Sequence, residues 1–293
     1  MSAVLSIADL VVRFGAGAAA AVDGVSLELR RGEFFGLVGE SGCGKSTLAN
    51  AVMGLLPPFA SVSGSVRVNG REVVGLSDAE LRSMRGAEAA MIFQDASASL
   101  DPTWSVGDQI AEALRAHRLG ARDAKARALA LMTEVGIADP ARRYHDPPHR
   151  LSGGMRQRIV IAAALANNPT LLIADEPTTA LDVTIQAQVL QLIDKLRREH
   201  GTTVMLITHD LGVVSQVCDR VGVMYGGRLL ELAAAVDLFA HPVHPYTRAL
   251  IAANPAAAPR GARLPVIPAE WSVESLEAAE RLSGASAWED VRL

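Results

Sequence analysis

The spacing of apolar and polar positions changes several times along the chain. Residues 4–14 (VLSIADLVVRF) and 22–29 (VDGVSLEL) carry short apolar and alternating runs, joined by the Gly/Ala-rich stretch GAGAAA. That pattern predicts antiparallel strands connected by a loop, a β-rich edge to the fold. The run FFGLV at 34–38 is continuously apolar and ends at Gly39, and residues 45–56 then follow helical spacing until Pro57 and Pro58 stop it. Strand, Gly-rich loop and helix follow one another. A hairpin is expected at 66–68 and 72–74 around Asn69-Gly70. From 106 to 136 the pattern is helical and rich in Ala, Leu and Arg, until Asp146-Pro147-Pro148 breaks the chain.

Helices are expected at 155–166 and 184–199, alternating with buried strands at 171–174 and 203–207. This alternation implies parallel βαβ units and an α/β fold. A late hairpin is expected at 221–225 and 228–232 around Gly226-Gly227. Beyond residue 254 the chain becomes Ala/Pro-rich and linker-like, with one weak amphipathic helix near 273–282. No internal repeat is visible.

Hydrophobic residues make up 49% of the 293 and aromatics only 4%, so the core must be built mainly from Ala, Val, Leu and Ile. A chain of this length can bury a continuous core as one large domain or two small ones. Asp plus Glu (32) outnumber Lys plus Arg (28), and the net charge of −4 removes the diffuse cationic surface of nonspecific nucleic-acid binders. No nucleic-acid partner is therefore expected. The two cysteines, Cys43 and Cys218, cannot build a disulfide framework or a multi-cysteine metal site, which fits a reducing compartment. No stretch reaches the roughly 18–20 apolar residues of a membrane span, and the start has no basic n-region, so the chain is expected to be neither exported nor integral.

The densest chemistry lies at Gly39-Glu40-Ser41-Gly42-Cys43-Gly44-Lys45-Ser46, which matches GxxxxGK[ST] between an apolar strand and a helix. Glycines let consecutive amides turn inward toward phosphates, and the helix beginning at Lys45 presents its positive end to them. Lys45 would neutralise the β- and γ-phosphates, and Ser46 would offer its hydroxyl to Mg²⁺. Asp175 and Glu176 end the apolar strand LLIAD. Alone, such a pair is more often a turn or helix N-terminal charge. Beside a phosphate loop, Asp175 is expected to hold the metal and Glu176 to act as general base toward the attacking water. No NKxD-like segment is present, so adenine is the expected base. His241 and His244 in HPVHPY lack a nearby carboxylate cluster and read as turn residues, not metal ligands.

Leu151-Ser152-Gly153-Gly154-Met155 resembles the LSGGQ signature of ATP-binding cassette (ABC) ATPases. The other elements of that family follow in order. Gln94 in MIFQD resembles the Q-loop, Thr179-Ala180-Leu181-Asp182 the D-loop, His209 in ITHD the switch histidine, and Phe14 the aromatic that stacks on adenine. Met155 and Thr179 replace the commoner Gln and Ser. The phrases GESGCGKST, SLDPTWSVGDQI, LLIADEPTTALDVTIQAQ and HPYTRAL are similar to the D-type ATPase subunits of bacterial dipeptide, oligopeptide and nickel importers.

The resemblance implies a P-loop NTPase fold, the ABC nucleotide-binding domain, with an antiparallel β edge and an inserted α-helical subdomain. The domain would span 1–253, with the helical part at about 95–165 and an extension at 254–293. ATP and Mg²⁺ are the implied cofactors. Nucleotide contacts would come from Phe14, Gly39, Ser41, Gly42, Cys43, Gly44, Lys45, Ser46 and Thr47, and across a dimer from Ser152, Gly153, Gly154, Met155 and Asp182. Metal contacts would come from Ser46, Gln94 and Asp175, and catalysis from Glu176, His209, Gln94 and Lys45. Cys43 would contribute its amide and present a thiol open to alkylation. The implied partners are a homologous ATPase subunit in a head-to-tail dimer, two membrane permease subunits and, indirectly, an extracytoplasmic substrate-binding protein, at the cytoplasmic face of the membrane. The rival readings are a soluble ABC ATPase of DNA repair or translation, opposed by the short insert and single cassette, and an exporter ATPase. LPVIP at 264–268 resembles the start of an extension that in relatives leads to a Cys-rich segment able to hold an iron–sulfur cluster; no cysteine follows Cys218, so no cluster is expected.

Overall fold

The computed structural model describes residues 3–253 apart from 16, 97, 118 and 180. The weak helix expected at 273–282, LPVIP and the segment bearing on an iron–sulfur cluster lie outside the described residues. The first elements are β1 (Ala3–Phe14), β2 (Ala20–Arg30), β3 (Phe34–Val38), α1 (Lys45–Val52), β4 (Ala60–Val68), β5 (Arg71–Glu72), α2 (Asp78–Met84) and β6 (Ala89–Ile92). A helical stretch follows, with α3 (Val106–Arg115), α4 (Ala121–Glu134), α5 (Pro140–Arg143) and α6 (Gly153–Ala164). The last part holds β7 (Leu171–Asp175), α7 (Val183–His200), β8 (Thr203–Ile207), α8 (Leu211–Val217), β9 (Arg220–Tyr225), β10 (Arg228–Ala234), α9 (Ala235–Ala240) and α10 (Pro245–Ala252).

Two sheets result. The first is antiparallel in the order β2-β1-β4-β5, as the alternating patterns require. Leu5, Ile7, Leu10 and Val12 face the core together with Val25, Leu27, Leu29 and Val66. The second sheet runs β10-β9-β3-β8-β7-β6 and is parallel except for the β9–β10 hairpin. Every residue of β3, β7 and β8 is buried, which is why these strands read as continuous apolar runs: both faces are covered. One face packs on α3, α4, α6 and α7, and the other on α1 and the first sheet.

Several boundaries differ from the sequence expectation. α1 ends at Val52 instead of 56, because Gly54 turns the chain at φ +61° and a Cβ there would lie 2.6 Å from Leu81 Cδ2. The helical stretch 106–136 is two helices, α3 and α4, with Gly120 capping the second. Tyr144 packs onto Gly107 of α3, and its hydroxyl donates to Asp108 Oδ1 at 2.9 Å. α6 begins two residues before the expected start because the Ser152 side chain caps it. Among the described residues, no helix is long and apolar enough to cross a membrane.

Candidate active site

Parallel strands put their C-terminal ends on one edge, and that edge collects the chemistry. Leu37 of β3, Ile207 of β8 and Asp175 of β7 lie in register, and Ile92 of β6 pairs with Ala174. The chain leaves these strands at Gly39, Thr208-His209, Glu176 and Phe93-Gln94, so four distant segments open onto one rim.

At the end of β3 the phosphate loop is wedged between two backbones. A Cβ on Gly39 would lie 2.1 Å from Met224 O, and one on Gly44 would lie 2.2 Å from Ala21 O, so glycine alone fits at both positions. Gly44 is the N-cap of α1 and supplies no side-chain cap, which leaves the first-turn amides around Lys45, Ser46 and Thr47 facing the loop with capacity for an anion. Lys45 is buried, and its Nζ donates to Gly39 O and Glu40 O, both at 2.8 Å. A triphosphate would draw this ammonium from two neutral carbonyls to a charged acceptor. Ser41 and Gly42 lie on the outer turn of the loop. The Cys43 thiol is buried, 3.5 Å from Lys45 Nζ, and burial pushes its pKa up despite that ammonium. The expectation of an alkylation-prone thiol is therefore corrected: Cys43 is enclosed and protonated at neutral pH.

Asp175 and Glu176 are neighbours in sequence but sit in opposite environments. Asp175 is buried, its Oδ1 has no hydrogen-bond partner, and desolvation raises its pKa against the hydrogen bond from Ser46. An orphaned carboxylate oxygen beside a serine hydroxyl suits a hard cation. Among the described residues no group of three or more His, Cys, Asp or Glu is gathered for a metal, so the protein offers part of a coordination sphere that phosphate and water oxygens would complete. Ser46 and Asp175 fit a hard cation bound in this shared manner.

Glu176 lies just past the strand with φ +46°, a left-handed conformation unusual for a non-glycine residue. Its amide donates to Ile207 O at 2.8 Å, prolonging the ladder by one residue before the chain turns. Its carboxylate is held from three sides. Gln94 Nε2 donates to Oε2 at 3.0 Å, Thr179 Oγ1 donates to Oε2 at 2.9 Å, and His209 Nδ1 lies 3.2 Å from Oε1. Burial pushes the Glu176 carboxyl up, but the Thr179 and His209 hydrogen bonds outweigh it and hold the group below its usual value. It is thus an ionised, oriented base. The sequence marks Thr179 only as a D-loop variant; its position three residues after Glu176, in a tight turn, is the signal for this contact.

The signature residues form a separate cluster. Ser152 is exposed and caps α6, accepting from Met155 N at 3.3 Å. A Cβ on Gly153 would meet Leu181 Cδ2 at 3.6 Å, and one on Gly154 would lie 2.8 Å from Ile185 Cγ2. Asp182 caps α7 by accepting from that same Ile185's amide at 3.0 Å. The signature turn and the start of α7 are therefore one packed unit, with Ser152 exposed at its head. Phe14 ends β1 with 37% of its surface exposed; the pairing of Arg13 with Ala20, next to the Ala21 carbonyl that abuts Gly44, sets it beside the phosphate loop.

Comparison with known proteins agrees with this geometry. The family model described as ABC transporter matches residues 22–179. The dipeptide transport ATP-binding protein DppD of Bacillus subtilis (strain 168) is 49% identical over 269 residues, which cover 90% of this chain and 80% of the relative. The probable peptide ABC transporter ATP-binding protein y4tR of Sinorhizobium fredii (strain NBRC 101917 / NGR234) is 54% identical over 252 residues, covering 85% and 75% respectively. Among solved structures, the dimeric post-hydrolysis state of the ATP-binding cassette MJ0796 bound to ADP and Pi superposes with a TM-score of 0.69 at 29% identity, covering 79% of this chain and 98% of that one. With the family match running from β2 through the acid pair, and identity near one half sustained over most of two relatives, this chain belongs to the ABC transporter family.

Proposed function

We propose that this chain is the ATP-hydrolysing motor subunit of a bacterial importer for peptides or related small solutes. The observation that carries the ATPase reading is the Glu176 carboxylate, ionised and held by Gln94, Thr179 and His209 on the rim shared with Lys45 and Asp175. The cargo class rests on the relatives, which are named for dipeptide and peptide transport.

In this reading the loop amides and Lys45 bind the β- and γ-phosphates, and Phe14 stacks on the adenine. Ser46, Asp175 and Gln94 would hold Mg²⁺, which would neutralise phosphate charge. Glu176 takes a proton from water as the water oxygen attacks the γ-phosphorus, and the bond to the β-phosphate oxygen breaks to give ADP and phosphate. His209, on the other carboxylate oxygen, orients Glu176 and reaches toward the γ-phosphate. The exposed Ser152 and the half-buried Gly153, Gly154 and Met155 that follow it serve the nucleotide of a homologous subunit packed head to tail, with Asp182 steadying that surface. ATP then holds the interface closed, and hydrolysis releases it.

Closure is passed to two permease subunits at the cytoplasmic face of the membrane, through the segment around 95–104, where Trp104 is exposed. The substrate-binding protein is met only through the permeases. Co-expression with candidate permease subunits tests this assignment. A stable assembly whose ATP turnover rises with a peptide-loaded binding protein is expected, and an ATPase that neither co-purifies with permeases nor responds to them would overturn it.

A further inference from the structure

We propose that Phe59 is a second base-contacting side chain of the nucleotide site, closing with Phe14 on the adenine of ATP. The proposal rests on the ATP reading above and adds a residue to it. Phe59 is the most exposed of the described phenylalanines, with 70% of its surface accessible, although the chain spends few aromatics in total. Most of this large apolar ring stands in water, with Phe14 as its aromatic neighbour.

The local chain fixes it. Ala60 N donates to Pro57 O at 2.9 Å, which closes a turn with Pro58 and Phe59 at its two central positions. Proline at the first of these is already restricted to the φ that such turns require, so Phe59 follows a rigid step. Ala60 then enters β4 directly opposite Phe14 of β1. The two rings come to 6.2 Å between centroids, tilted by 59°, at the end of the β1–β4 pairing. Optimal carbon contacts are about 3.5–4 Å, so a base lying between two rings needs roughly 7 Å between near-parallel faces, which the exposed Phe59 ring supplies by moving outward about 1 Å and rotating out of its 59° tilt. The pair lies beside the phosphate loop, because β2, paired with β1, lays its Ala21 carbonyl against Gly44.

The turn residues explain why this was not legible in sequence. Pro57 and Pro58 read there as a helix stop, with nothing in the local pattern to bring the following Phe59 back to Phe14.

The test is titration calorimetry of the whole chain carrying Glu176→Gln, so that nucleotide persists, with MgATP and with inorganic tripolyphosphate as probes. Phe59→Ala is expected to raise the Kd for ATP about fivefold, Phe59→Tyr to leave it within about twofold, and neither to alter tripolyphosphate binding, as loss of one base-stacking face predicts. Equal weakening of ATP and tripolyphosphate by Phe59→Ala would mean a distorted loop and would overturn the proposal. So would unchanged ATP binding in Phe59→Ala while Phe14→Ala weakens it; that result leaves the ATP reading standing and assigns Phe59 elsewhere. If Phe14→Ala and Lys45→Ala both leave ATP binding unchanged, the ATP reading itself fails and this proposal with it.

Discussion

Gln94 Nε2 donates to Glu176 Oε2 at 3.0 Å, although 82 positions separate the two residues. The bond joins the loop leaving β6 to the carboxylate just past β7. Any displacement of the segment that follows Gln94 therefore acts on this carboxylate directly.

Removing the base while keeping its shape is the most direct check. Glu176→Gln cannot accept the water's proton, and turnover is expected to fall by about 10²–10⁴ while MgATP binding persists. Steady-state phosphate release and equilibrium binding measure the two halves. Hydrolysis within about threefold of wild type would show that another group is the base.

Thr179 orients the carboxylate through one hydroxyl, 2.9 Å from Glu176 Oε2. Thr179→Val keeps the shape and loses the donor, so kcat is expected to fall about tenfold with ATP affinity unchanged, the scale of one hydrogen bond to a charged group. Thr179→Ser is expected to restore it. A serine variant as slow as the valine variant would point to packing instead of hydrogen bonding.

Lys45 holds two loop carbonyls at 2.8 Å and is the cation of the phosphate loop. Lys45→Ala is expected to weaken ATP binding at least about tenfold along with the rate, since a charge-assisted contact to phosphate is lost. Unchanged affinity in a binding titration would assign the phosphates to the backbone amides alone.

Ser152 lies on the exposed start of α6, apart from the Glu176 cluster. In an assembly with a homologous subunit, Ser152→Arg is expected to leave nucleotide binding at this chain's own loop intact and to suppress hydrolysis at the partner's loop. The long cation would fill the space meant for the γ-phosphate and keep the α6 amides from it. Site-resolved nucleotide trapping reads this, with Ser152→Asn as a control that retains a helix cap. A defect confined to this chain's own site would contradict the head-to-tail arrangement.

Burial raises the Cys43 pKa, so the thiol stays protonated through neutral pH and the reactive thiolate grows in only above the ordinary thiol range. Iodoacetamide labelling of the native chain at pH 7.5, followed by mass spectrometry, is expected to be at least about tenfold slower at Cys43 than in the unfolded chain, and to accelerate as pH rises. Labelling at the unfolded rate would show that the loop opens freely.

Read alone, the sequence determined those parts of the protein whose chemistry is contiguous. The phosphate loop, the acid pair after LLIAD and the signature turn are each short runs in which neighbouring residues act together, so local spacing specifies them. The fully buried β3, β7 and β8 were legible for a similar reason, since covered strands need unbroken apolar runs. α2 carries a local signal in its capping box of Ser77 and Glu80, while β6 is a four-residue edge strand too short for a pattern. Only the tertiary structure decided what surrounds each group. Glu176 and Asp175 differ by one position, yet one is clasped by Gln94, Thr179 and His209 while the other keeps a buried oxygen unpartnered. That difference arises from the order β3-β8-β7-β6, which sets the ends of distant strands side by side. The meeting of Phe14 with Phe59 likewise comes from the pairing of β1 with β4. Strand pairing is a long-range choice made by the whole core, and no local window of the chain contains it.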